Sequence, residues 1–150
     1  MDNDQMVFLM VDDSEHDVLA VKRAWRENRI GNALHIVHDG DECLDYLHQR
    51  GRYSRPESVP RPEVILLNNR LPKMNGLEVL KQIRGSEALH YLPVIMFTAS
   101  ASERDMLTAY DLLANAYIVK PMSFENLSEA IRSINSFWQL ASMPEETYDA

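Results

Sequence analysis

Two adjacent aspartates, Asp12 and Asp13, follow a short apolar run, Val7–Val11. Like charges this close repel unless a cation lies near them. A hard cation that takes oxygen ligands, Mg²⁺ above all, suits such a pair. The competing account makes both carboxylates caps for a following helix, although Ser14 can cap with its hydroxyl and leave them free. Farther on, "VILLNNRLPKMNG", Val64–Gly76, opens as a buried strand and turns polar at Asn68, Asn69 and Arg70. Thr98 follows the apolar run Val94–Phe97, and Lys120 stands between Ala116–Val119 and Pro121. A lysine so placed is either a solvated surface residue or a fixed charge reaching across a sheet edge. Thr98 is either a turn residue bonded to its own backbone or a hydroxyl for binding an oxyanion.

These groups can act together only if a fold sets the ends of their strands side by side. Candidate strands are Val7–Val11, Leu34–Val37, Val64–Leu67, Val94–Phe97 and Ala116–Val119. The first, third and fourth are apolar at nearly every position, which implies burial on both faces. Helical patterns lie between and after them: Val18, Val21, Trp25; Cys43, Leu44, Leu47; Val79, Leu80, Ile83; Met106, Leu107, Tyr110; and Leu127, Ile131, Ile134, Trp138. Ser14 with Asp17 and Ser102 with Asp105 have capping-box spacing. Gly31 and Gly85 stand where the first and third helices should stop. The alternation predicts a three-layer, flavodoxin-like α/β fold, a doubly wound parallel sheet in the order 2-1-3-4-5. Residues 49–62 read as a long polar loop. Residues 1–140 read as one domain and 141–150 as an acidic tail.

A formal charge of −8 without any Lys/Arg run argues against a nucleic-acid surface. The longest apolar stretches are too short to span a bilayer. The acidic start "MDNDQ" is unlike a secretion signal, so a cytoplasmic location is expected. Cys43 is the only cysteine. Its helical spacing to Leu44 and Leu47 favours a buried small side chain over a reactive thiol.

Taken in order, "VDD", "ILLNNRLPKMNG", "MFTAS" and "YIVKP" resemble the receiver domain of bacterial response regulators, from about Val7 to Trp138. The long loop, "YDLLANAYIVKP" and "IRSINSFWQLASMP" are most similar to single-domain regulators that accompany phytochrome histidine kinases. The resemblance implies Mg²⁺ held by Asp13 directly and by Asp12 through water, with the backbone carbonyl of Arg70 completing the protein's share. It implies that Thr98 and Lys120 bind phosphoryl oxygens, and that Tyr117 swings inward as Thr98 is drawn to the phosphate. It also implies a histidine kinase partner and homodimers through the fourth helix, fifth strand and fifth helix. Phe137, off the buried stripe of the last helix, either joins that seam or covers the tail.

Asn68 is the departure, because the family places the phosphoryl-accepting aspartate there. An amide has a neutral oxygen and a delocalised nitrogen lone pair, so no acyl phosphate is expected. An Asn carbonyl can still ligate Mg²⁺, but the local charge against Lys120 falls to about −1 from about −2, so binding should weaken. Trp25 fluorescence would be the probe. A natural loss of phosphotransfer and a deliberate Asp→Asn substitution fit equally well. Asn75 before Gly76 would suit a tight turn.

The rival reading is a Mg²⁺-dependent phosphohydrolase with Asp12 as nucleophile, weakened by Ser14 at the position of a second acid. A flavin carrier or a P-loop NTPase would need a phosphate loop where this chain has "DDSEHD". His35 and His38 fall on opposite faces of a strand and offer no metal pair.

Overall fold

The computed structural model describes residues 6–55, 59–121 and 123–141. The chain alternates β1 (Val7–Val11), α1 (Glu15–Glu27), β2 (Ala33–Val37), α2 (Gly40–His48), β3 (Val64–Leu67), α3 (Gly76–Arg84), β4 (Val94–Thr98), α4 (Glu103–Asp111), β5 (Ala116–Val119) and α5 (Phe124–Leu140). All neighbouring strands pair in parallel, in the order β2-β1-β3-β4-β5. The loop after α2 carries one short 3-10 turn, Gly51–Tyr53. The tail beyond Ala141 lies outside the described residues.

Strand alternation divides the core in two. Leu9, Val11, Ile65, Leu67, Val94 and Met96 pack with α2, α3 and the inner side of α4. Phe8, Met10, Val64, Leu66, Ile95 and Phe97 pack on the other face with α1 and α5. Cys43 is fully buried in the first cluster, and burial, with Glu42 and Asp39 adjoining, pushes its thiol up to about 12. Such a thiol is no nucleophile near neutral pH.

Polar groups close the end of the sheet opposite the polar strand ends. Trp25 Nε1 donates to the Asn32 carbonyl at 2.7 Å, while Asn32 Nδ2 donates to Asn135 Oδ1 at 2.6 Å and ties α5 in. Arg84 spans the α3, β4 and α4 ends by donating to the carbonyls of Leu92, His90 and Leu113 and to Asn115 Oδ1.

Three expectations need correction. Helix α1 stops at Asn28, not Gly31. Asn28 Nδ2 donates to the Ala24 carbonyl at 2.9 Å and Arg29 takes a positive φ of 53°, so the turn is complete before the glycine. Asn75 is the N-cap of α3, with Oδ1 accepting from Glu78 N at 2.9 Å, and not a tight-turn residue. On α4 the stripe Met106, Leu107, Tyr110 is not the buried face. Ala109 is buried, whereas Leu107 and Tyr110 are 66% and 50% exposed. Leu107 and Tyr110 face outward, as do Leu113 after the helix and Val119 on β5.

Candidate functional site

Parallel pairing carries the polar residues to one edge. Val11 is in register with Leu67, and the ladder continues as Asn68 N donates to the Val11 carbonyl at 3.0 Å. Asp12 and Asn68 therefore emerge side by side. Lys120 N donates to the Thr98 carbonyl at 2.8 Å and fixes the β4 and β5 ends in the same way. Asp13, Asn68, Arg70, Thr98 and Lys120 line one cleft of about 550 Å³, together with Asp17, Asn69, Ser100 and Asp105.

Asp12 is 1% exposed. Its Oδ2 accepts from Lys120 Nζ at 2.6 Å and its Oδ1 from Ser14 N at 2.9 Å. The expectation that Ser14 leaves both carboxylates free thus holds for the hydroxyl, which caps Asp17 N, but Asp12 is claimed by the Ser14 backbone instead. Asp13 is exposed at the cleft mouth. Lys120 reaches across the sheet edge and also donates to Asp17 Oδ2 at 2.7 Å.

Asn68, 6% exposed, donates through Nδ2 to the Arg70 carbonyl at 2.9 Å and toward Asp12 Oδ1 at 3.5 Å. Its Oδ1 accepts no hydrogen bond from the described residues. Thr98 is buried, and its Oγ1 accepts from Ser100 N at 3.3 Å, so it forms the local turn bond while lining the cleft. Tyr117 is half-buried and donates its hydroxyl to the Ser100 carbonyl at 2.9 Å.

Asp17 and Asp105 are the site residues that sequence reasoning missed. Each sits three residues after a capping serine, and that spacing already gave it a role. In both places only the backbone half of the capping box forms, with Asp17 N and Asp105 N donating to the serine hydroxyls. The Asp17 carboxylate turns to Lys120, and Asp105 Oδ2 accepts from Ser100 Oγ at 2.7 Å and Asn69 Nδ2 at 3.4 Å. Asp12, Asp13 and Asp17 against Lys120 leave a local charge of about −2, not the −1 expected without Asp17. Trp25 also proves a poor reporter. It lies in the last turn of α1, about 16 Å along the helix from Ser14 at 1.5 Å per residue.

Among the described residues no three His, Cys, Asp or Glu groups converge as a metal cluster. The oxygen donors that suit a hard cation are nevertheless present: the Asp12 and Asp13 carboxylates, the Asn68 amide oxygen and the Arg70 carbonyl. They fit such an ion with one conflict, because Asn68 Nδ2 already occupies the Arg70 carbonyl.

Comparison with known proteins gives a consistent picture. Residues 8–132 match the response regulator receiver domain family. Response regulator Rcp1 of Synechocystis is 36% identical over 136 residues, covering 91% of this chain and 90% of the relative. The crystal structure of the Mn²⁺-bound form of Rcp1 superposes with a TM-score of 0.83 at 35% identity, covering 93% of this chain and 99% of that one. Response regulator RPA3017, from red light signalling of R. palustris, gives a TM-score of 0.87 at 33% identity, covering 93% and 98%. With likeness running through almost the whole of each, this chain belongs to the response regulator receiver domain family.

Proposed function

We propose that this chain is a receiver that signals by contact and, with Asn68 at the acceptor position, takes no phosphoryl group. One placement supports the reading: the Asn68 amide sits beside Asp12, in the cleft that Asp13, Thr98 and Lys120 share. Phosphoryl transfer needs an in-line nucleophile and neutralised charge. Lys120 and Asp13 line the cleft and would supply the charge, while the position of the nucleophile carries an amide. Lys120 and Thr98 would meet phosphoryl oxygens, and Tyr117 would follow Thr98. Asp12, Asp13, Asn68 and the Arg70 carbonyl would hold Mg²⁺ more weakly than an aspartate site. When bound, that ion would supply positive charge against phosphoryl oxygens. The phosphohydrolase reading loses ground because Asp12 is buried, with one oxygen ion-paired to Lys120 Nζ and the other bonded to Ser14 N.

Intact mass after incubation with acetyl phosphate and Mg²⁺ tests this. The expected result is no mass gain for the chain as it stands and one phosphoryl group on Asn68→Asp. A stoichiometric gain on the unaltered chain would end the proposal.

The partner is a histidine kinase of phytochrome type in the cytoplasm, as the similarity to a cyanobacterial phytochrome response regulator, RcpA, suggests. No helix among the described residues is long and apolar enough to cross a membrane. Self-association through α4, β5 and α5 accounts for the outward Leu107, Tyr110 and Val119, and for Phe137 on α5, which is 61% exposed. Light scattering at micromolar concentration should give a dimer mass that Tyr110→Glu reduces to monomer. A monomer mass at every concentration would contradict it.

A further inference from the structure

We propose that the Asn68 amide takes the structural place of a divalent cation, tying the β3–α3 loop to β1 in the absence of metal. The inference rests on the reading of position 68 as a non-accepting amide and concerns how the same site is regulated. An amide nitrogen carries two hydrogens. In this structure one is donated to the Arg70 carbonyl at 2.9 Å, and the nitrogen also approaches Asp12 Oδ1 at 3.5 Å. These oxygens belong to two different segments, and they are two of those that suit a hard cation.

A carboxylate at position 68 could make neither bond, since it only accepts. It would set its oxygens against the Asp12 carboxylate and the Arg70 carbonyl with no donor between them. That arrangement calls for a cation. The amide replaces an acceptor by a donor at that point. Lys120 donates to the other oxygen of Asp12, so the buried carboxylate has protein donors on both oxygens. A cation entering here would have to share the Arg70 carbonyl with Asn68 or compete with it for that oxygen. The chain's loop geometry is thereby uncoupled from metal.

Thermal melts of the unaltered chain, Asn68→Asp and Asn68→Ala, each in EDTA and in millimolar Mg²⁺, test this without any phosphodonor. The expected midpoint of the unaltered chain is the same in both buffers, while that of Asn68→Asp rises by several degrees with Mg²⁺. Asn68→Ala, which lacks both donor and charge, should melt below the unaltered chain in EDTA. Calorimetric titration should show Mg²⁺ affinity about tenfold or more weaker than for Asn68→Asp. If Mg²⁺ raises the unaltered chain as much as Asn68→Asp, or if Asn68→Ala equals it in EDTA, the proposal fails. A phosphoryl gain on the unaltered chain would overturn the non-accepting reading instead, and mass alone reports that.

Discussion

Gly76→Ala is expected to cost about 3 kcal/mol or more of folding stability and to drive Asn68 out of its place in the cleft. The reason is space and not backbone conformation. A Cβ at position 76 would lie 2.1 Å from the Asn68 carbonyl oxygen, and 2.9 Å from both the Asn68 carbonyl carbon and Asn69 Cα. All three atoms are backbone, so no rotamer change can relieve the clash. The start of α3 is pinned there from both sides. Gly76 N donates to the Asn69 carbonyl at 2.7 Å and Leu77 N to Asn69 Oδ1 at 3.1 Å. Relief must come from moving the segment that carries Asn68, Asn69 and Arg70. Urea unfolding would read the loss, and loss of the Asn68 side-chain amide signal from its position in a ¹H–¹⁵N spectrum would read the displacement. A variant within about 0.5 kcal/mol of the parent, in the range of an ordinary surface change, would show that the loop gives way more easily than its backbone contacts imply.

The same packing explains what could and could not be read from the chain. Strands β1 and β3 fall on the expected residues, because runs apolar on both faces have few other places to go, and β5 does so too although it is only partly buried. β2 and β4 each gain one residue, Ala33 and Thr98, at ends where pairing with a neighbour decides the boundary. Helix α4 was misleading for a related reason. Periodicity marks an apolar stripe but does not say whether core or partner covers it, and Leu107 and Tyr110 face outward. The placing of Asp12, Asn68, Thr98 and Lys120 at one edge was legible, since strand ends in a parallel sheet converge. The turn of Asp17 toward Lys120 was hidden by a cap signal that accounts for its backbone and says nothing of its carboxylate. The direction of the Asn68 amide depends on an oxygen two residues on, at Arg70, whose position is set only once Gly76 has packed against the loop.

Lys120→Met should destabilise the fold by about 3 kcal/mol, the lower end of the range for breaking a buried pair. Lys120 is 12% exposed and bonds Asp12, which is 1% exposed, and Asp17, which is 34% exposed. Methionine keeps much of the lysine stem's packing, near the Phe97 ring, and removes only the charge. The loss is then that of a buried Asp12 carboxylate stripped of its ammonium, next to Asp13 and Asp17. Asp17 reaches water and forfeits less, which keeps the figure at the low end. The double variant Asp12→Asn/Lys120→Met should recover most of the stability, since no uncompensated buried charge remains. If the single variant loses under about 0.5 kcal/mol, the pair behaves as a surface bridge and the cleft is wetter than its burial implies. A large loss with recovery in the double variant means that the ammonium is a structural counter-charge in the resting state. An oxyanion that pulls Lys120 away from Asp12, and does not simply take its third N–H, would then bear the cost of that release, and that cost sets how firmly the resting arrangement is held.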